Sequence, residues 1–163
     1  MRLLQFPSRS PEETAAAGRA LARVLDPATG LFVALCGPLG AGKTVWVKGA
    51  AEGLAIDPGL VASPTFVLAH RLEGRAPLMH ADLYRIESEA ELLEAGFLDW
   101  LEPGALVVVE WGDRFPDALP QDRLELRIER RGETERWLSA TAQGPVSRAA
   151  LTRWAGARAS EGA

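Results

Sequence analysis

Lysine is nearly missing from this chain. Of its 18 basic residues only Lys43 and Lys48 are lysines; the other 16 are arginines. A guanine-reading Asn-Lys-x-Asp segment is therefore excluded, since neither lysine follows an asparagine. Cysteine is as scarce. Cys36 stands alone, so no internal disulfide can form, which suits a reducing compartment. A thiol in an apolar run reads as a small packed hydrophobe. Long apolar stretches are missing too. No segment approaches the length of a bilayer span, and Met1–Phe6 holds too short an apolar stretch for a signal peptide. A cytoplasmic protein without a membrane partner is the expectation. Positive charge is not in excess: the net charge is −4. That argues against holding nucleic acid by general electrostatics, and leaves open a local basic patch or RNA met through a partner. There is no internal repeat and no long linker. With 163 residues, 47% apolar and 25% charged, residues 1–163 read as one ordinary globular domain.

What is present is concentrated between residues 31 and 45. Leu31-Phe32-Val33-Ala34-Leu35-Cys36 is an unbroken apolar run, the pattern of a strand buried on both faces. It leads into Gly37-Pro38-Leu39-Gly40-Ala41-Gly42-Lys43-Thr44, which satisfies G-x-x-x-x-G-K-[ST] at every fixed position. Val45 onward reads as a helix. Among 16 glycines a single one carries little weight. Four fixed positions between a strand and a helix carry much more. Glycines let successive backbone N–H groups curl around phosphate oxygens, and the helix N-terminus adds partial positive charge. Lys43 is placed to reach the outer phosphates, and the Thr44 hydroxyl to hold a magnesium ion. A compact ammonium on a flexible stem suits that task better than an arginine fork.

The rest of the chain supplies a frame. Ser10-Pro11-Glu12-Glu13 reads as a helix start, with Ser10 capping, Pro11 first and Glu13 completing a capping box. That helix runs to about Leu25, with Ala16, Ala20, Leu21 and Val24 inward. Thr65 to Arg71 and Pro77 to Tyr84 read as strands. Ser88-Glu89-Ala90-Glu91 is a second capping box, opening a helix to about Ala95, and Phe97 to Leu101 adds a turn. Ala105 to Val109 is a buried strand. Arg123 to Glu129 alternates apolar and charged residues, as a half-buried strand does. It turns at Gly132 into a partner strand, about Glu135 to Ala142. Val146 to about Arg158 closes the chain as a helix, with frayed residues beyond. The expected fold is α/β: a three-layer P-loop NTPase, with a mostly parallel central sheet flanked by helices and an antiparallel C-terminal hairpin.

Three more segments bear on the chemistry. Ser63-Pro64-Thr65-Phe66 follows the loop helix and by itself is an ordinary proline turn. His80-Ala81-Asp82-Leu83-Tyr84-Arg85 ends a strand. Asp82 there suits a magnesium ion or its waters, or equally a cap on the next turn. Val107-Val108-Val109-Glu110-Trp111 brings a carboxylate to the end of a buried strand. Second nucleotide motifs place an acid there to face the cation or orient a water.

In this order the four segments resemble the TsaE family, also called YjeE. Its pattern is G-x-L-G-A-G-K-T, S-P-T-[FY], H-x-D-x-Y-R and V-E-W. The chain matches it at Gly37–Thr44, Ser63–Phe66, His80–Arg85 and Val109–Trp111. The resemblance covers about Ser10 to Trp111; the C-terminal part matches only in general character. It implies a small bacterial ATPase required for the threonylcarbamoyl modification of adenosine in certain tRNAs. It also implies roles. Lys43 contacts the β- and γ-phosphates of ATP. Thr44 and Glu110 face Mg2+, with Asp82 a second acid near the cation or the attacking water. Thr65 lies in a loop that senses the γ-phosphate. His80, Tyr84 and Arg85 shape a second switch. Trp111 lies beside the nucleotide, and Thr14 is a contact near the adenine. The implied partner is a threonylcarbamoyl-transferase heterodimer of the TsaB–TsaD type, with tRNA reached through that complex.

Sequence leaves two other classes standing. A small phosphotransferase of the shikimate- or adenylate-kinase kind needs an arginine-bearing lid. No lid is evident, yet the arginines are too scattered to exclude one. A module that holds nucleotide without hydrolysing it is the third. The division of labour between Asp82 and Glu110 stays open. Of the five tryptophans, most read as core.

Overall fold

A computed structural model describes residues 1–62 and 68–161. The expected Ser63–Phe66 segment, Thr65 included, lies outside the described residues, as do the last two of the chain. Among the described residues seven strands form one sheet: β1 (Leu3–Ser8), β2 (Leu31–Cys36), β3 (Ala69–Leu72), β4 (Leu78–Asp82), β5 (Leu106–Glu110), β6 (Leu124–Arg130) and β7 (Arg136–Ala142). Five α-helices accompany them: α1 (Pro11–Arg23), α2 (Lys43–Gly53), α3 (Glu89–Glu94), α4 (Phe97–Trp100) and α5 (Pro145–Glu161). No helix among the described residues is long and apolar enough to cross a membrane.

The strand order is β1-β7-β6-β2-β5-β4-β3. Only the middle four strands, β6, β2, β5 and β4, run parallel. β7 and β1 add antiparallel strands at one edge and β3 at the other. The sheet is thus mixed, parallel in the middle and antiparallel at both sides. β1 is not foreseen from sequence. Its signal is weak because Pro7 interrupts it, and an edge strand tolerates a proline that a central one would not.

Apolar residues on both faces of the central strands explain their unbroken runs. Val33, Leu35, Leu106 and Val108 pack under α1, α2 and α5 with Leu21, Trp46, Leu124 and Trp154. Phe32, Ala34, Val107 and Val109 pack on the other face with Met79, Leu92, Phe97 and Trp100. Each large side chain buried this way contributes roughly 1.5–3 kcal/mol. The expected three layers hold over only part of the sheet. The short helices α3 and α4 cover the second face near β4 and β5. Over β6 and β7 that face carries Glu125, Arg127, Glu129, Ser139 and Thr141, all at least partly exposed. The charged half of the β6 alternation rules out a covering helix there, because burying unpaired charge costs too much.

Helices α1 and α2 meet with their backbones in contact. A Cβ at Gly49 would stand 1.8 Å from the Ala15 carbonyl oxygen, so only glycine fits. The buried face of α1 is Thr14, Ala17, Gly18, Ala20, Leu21 and Ala22; Ala16 is partly exposed, Val24 packs partly buried against the core, and the helix ends at Arg23. Of the expected inward residues Ala20 and Leu21 are buried as foreseen, and Thr14, Ala17, Gly18 and Ala22 widen the face beyond the expected stripe. Small residues gave no periodicity strong enough to fix it. Both capping sequences form with the same variation. Ser10 and Ser88 accept from the amides of Glu13 and Glu91. Those glutamates accept from Arg9 and Glu87, one residue outside the cap, not from the capping serines. The closing helix continues to Glu161, beyond the expected Arg158.

Candidate functional site

Parallel strands end together, and their C-terminal ends gather the polar residues that the sequence singled out. Asp82 and Glu110 are register partners at the last pair of β4 and β5, and Leu35 of β2 is the other neighbour of Glu110. From Cys36 the chain enters the glycine loop and turns into α2. The loop, Lys43, Thr44, Asp82, Glu110 and Trp111 line one cavity of about 290 Å³.

The N-terminus of α2 is open. Gly42 occupies its cap position at φ 105°, a left-handed conformation that favours glycine, and no side chain caps the helix. Ala41 N–H donates to the Pro38 carbonyl. Among the described residues, nothing accepts from the amides of Gly40, Gly42, Lys43 or Thr44. Gly40 is exposed, Gly42 and Thr44 are partly buried and Lys43 is buried, and the first N–H groups of a helix have no partner within it. A row of them at a helix N-terminus is a cradle for an anion.

Lys43 is 6% exposed. Its Nζ donates to the carbonyls of Gly37 (2.5 Å) and Pro38 (3.0 Å) and lies 4.4 Å from the centre of the Trp111 ring. Burial pushes its pKa below the ordinary lysine value, against the pull of Glu110 and Asp82. Trp111 itself sits at φ 60°, an uncommon conformation for a bulky residue, and its ring lies 5.2 Å from that of Tyr84.

The two acids differ. Glu110 is buried, and its Oε2 accepts from His80 Nε2 at 2.5 Å. A carboxylate can only accept, so the imidazole supplies the proton of this bond. Asp82 is half-buried and accepts from the Tyr84 amide at 2.9 Å. Burial raises its pKa above the usual carboxylate value; repulsion from Glu110 adds to this, and the Tyr84 amide works against it.

Fold and geometry invite comparison with known proteins. The model of the family described as "Threonylcarbamoyl adenosine biosynthesis protein TsaE" matches residues 8–138. The chain belongs to the TsaE family. A TsaE protein of Bacillus subtilis, named "tRNA threonylcarbamoyladenosine biosynthesis protein TsaE", is 39% identical over 145 residues, spanning 88% of this chain and 89% of the relative. One of the same name from Streptomyces coelicolor is 43% identical over 116 residues, spanning 69% and 76%. The crystal structure of Bacillus subtilis YdiB superposes with a TM-score of 0.75 at 32% identity, covering 94% of this chain and 95% of that one.

Within this TsaE family member the foreseen residues divide into groups. Leu39, Gly40, Gly42, Lys43, Thr44, Asp82, Glu110 and Trp111 meet at one cavity. Gly37 and Pro38 supply carbonyls to Lys43, and Ala41 is buried. Thr14 lies elsewhere. It lines an adjoining cavity of about 120 Å³ beyond Gly40 and Gly42, and its hydroxyl shares a 2.7 Å hydrogen bond with Ser8. Tyr84 and Arg85 are exposed. Cys36 is buried with its pKa pushed up to about 11, chiefly by burial, so the thiol stays protonated as expected of a packing residue.

Two arginines escape the sequence reading. Arg114 donates to the carbonyls of Leu83 and Tyr84, holding the turn after Asp82. Arg136 donates to the loop carbonyls of Gly40 and Ala41. Neither belongs to a motif. Among 16 arginines no spacing singles them out; only tertiary structure brings them to the site.

Proposed function

We propose that the chain is a P-loop ATPase, and that its ATPase activity serves the tRNA threonylcarbamoyladenosine biosynthesis for which its relatives are named. The observation that carries this reading is the uncapped start of α2. Unpaired amides and Lys43 there face two carboxylates across one cavity. That donor set fits a polyphosphate, and the acids fit its metal. No group of three His, Cys, Asp or Glu among the described residues could hold a metal ion. Mg2+ carried with phosphates needs only one or two carboxylates. Thr44, Asp82 and Glu110 would hold it, and the ion would offset the charge that grows on the transferring phosphoryl group.

The chain's own residues perform the remaining work. The amides of Gly40, Gly42, Lys43 and Thr44 bind the phosphates. Lys43 exchanges its two loop carbonyls for the outer phosphate oxygens. His80 fixes one oxygen of Glu110 and leaves the other for the cavity. Asp82 stands beside Glu110 at the cavity, placed to share the cation or to accept a proton from a water beside it. Turnover is slow in isolation. Contact with a transferase heterodimer of the TsaB–TsaD type completes the site, and hydrolysis resets that complex between cycles. The tRNA is met through the partner.

The test is release of inorganic phosphate from MgATP by the chain alone, with the heterodimer, and with heterodimer plus tRNA. Stimulation by the heterodimer is expected. No hydrolysis under any of these conditions, or phosphate passed to an added metabolite, would overturn the reading.

A further inference from the structure

Arg136 opens β7, far from any nucleotide motif, yet its guanidinium ends on the phosphate loop. Nε donates to Ala41 O at 2.8 Å and one terminal nitrogen to Gly40 O at 3.2 Å. The other terminal nitrogen donates to Gly132 O, Glu133 O and Glu135 O, at 3.1, 3.4 and 3.0 Å, in the β6–β7 turn. All five acceptors are backbone carbonyls. Among the described residues no carboxylate pairs with this arginine. A full positive charge therefore lies against the back of the loop, tying it to a hairpin 90 residues further along the chain.

The peptide geometry gives this contact a chemical meaning. The Ala41 carbonyl belongs to the same peptide unit as the Gly42 N–H. A cation on that oxygen fixes the orientation of the unit and polarises its N–H into a stronger donor. The Gly42 amide has no acceptor among the described residues. Its glycine would otherwise let the unit rotate freely.

We propose that Arg136 is a positioning residue for phosphate binding: it locks the 41–42 peptide with the Gly42 N–H presented to the ligand. The proposal rests on the reading of the loop as the ATP site. Arg136 touches no phosphate itself. It sets the loop's shape before ligand arrives, so ATP and ADP, which share the cradled phosphates, depend on it alike.

Three variants test it: Arg136→Ala, Arg136→Lys and Arg131→Ala. Arg131 lies in the same hairpin, 4.7 Å over the Trp137 ring, and does not contact the loop. Two measurements are made: amide hydrogen exchange across residues 37–45 without ligand, and affinity for MgATP and MgADP by titration calorimetry. Arg136→Ala is expected to speed exchange in the loop and to weaken both nucleotides about tenfold. Arg136→Lys should recover part of the affinity, and Arg131→Ala should change neither measurement. Unchanged loop exchange in Arg136→Ala, or equal losses in Arg131→Ala, would overturn the proposal. Faster loop exchange in Arg136→Ala alone, in a protein that binds no nucleotide, would support the brace and sink the ATP reading.

Discussion

Two helix N-termini, α2 and α5, lie at opposite ends of the same parallel strands and are finished in opposite ways. At α5 the chain caps itself. Asp122, just before β6, accepts from the amides of Val146 (2.7 Å) and Ser147 (3.0 Å). The Ser147 hydroxyl accepts from the amides of Gln143 and Gly144. Burial acts to raise the Asp122 pKa, but the hydrogen bonds from Ser147 and Val146 outweigh it and the pKa is lowered. At α2 no side chain among the described residues caps the helix. The acids that face it across the cavity include Asp82, whose pKa is raised. An acid that completes a helix is held in its charged form. An acid with no such partner, half-buried beside another carboxylate, is held there at a cost to its charged form.

The largest effect that tests this contrast belongs to Lys43→Ala. Steady-state ATP hydrolysis should fall by about a hundredfold or more, with the circular dichroism spectrum unchanged. Unaltered turnover would erase the functional half of the comparison. Asp122→Ala comes next and acts on stability alone, with a loss of about 1–2 kcal/mol. In a chain of this size that is a fall of about 2–8 °C in Tm. The sign with pH follows from the lowered pKa. The folded carboxyl titrates below its unfolded value, near 3.9. Its stabilisation is full above that value and lost as pH falls through the folded pKa. Urea midpoints of wild type and Asp122→Ala should therefore converge in acid and differ at neutral pH.

Asp82→Asn is the smallest and goes the other way. A carboxyl with a raised folded pKa destabilises the fold above that pKa, and the penalty fades as pH falls. At neutral pH the ligand-free variant should gain about 0.5–1 kcal/mol in stability while losing hydrolysis. A loss of stability on denaturant unfolding would show that Asp82 is part of the frame.

Sequence made most of the frame legible where patterns were strong. The double-sided apolar runs of β2 and β5 located the sheet's centre, and the alternation of β6 located its half-buried side. The same alternation, taken further, tells that no helix covers that side. β1 was lost to a proline, and the buried face of α1 was only half foreseen, through Ala20 and Leu21, because its other members are small residues. At the site, residues carried by a local motif emerged: the loop, Asp82 and Glu110 meet as expected. Those whose role is purely tertiary did not. Arg136 reaches the loop from 95 positions away. The pairing of His80 with Glu110 depends on β4 and β5 being neighbours in the sheet. Thr14 falls between these cases, since it borders the adjoining cavity but spends its hydroxyl on Ser8.

The parked ammonium of Lys43 has a consequence for selectivity. Because two carbonyls and an indole face satisfy it, the loop offers anions no naked cation. A lone sulfate or orthophosphate would have to win that side chain away with a single set of oxygens. A chain of phosphates can first settle on the amides and then recruit the lysine from a second foothold. If the loop is the ATP site proposed above, this arrangement would favour a chain of phosphates over the abundant small anions of a cell.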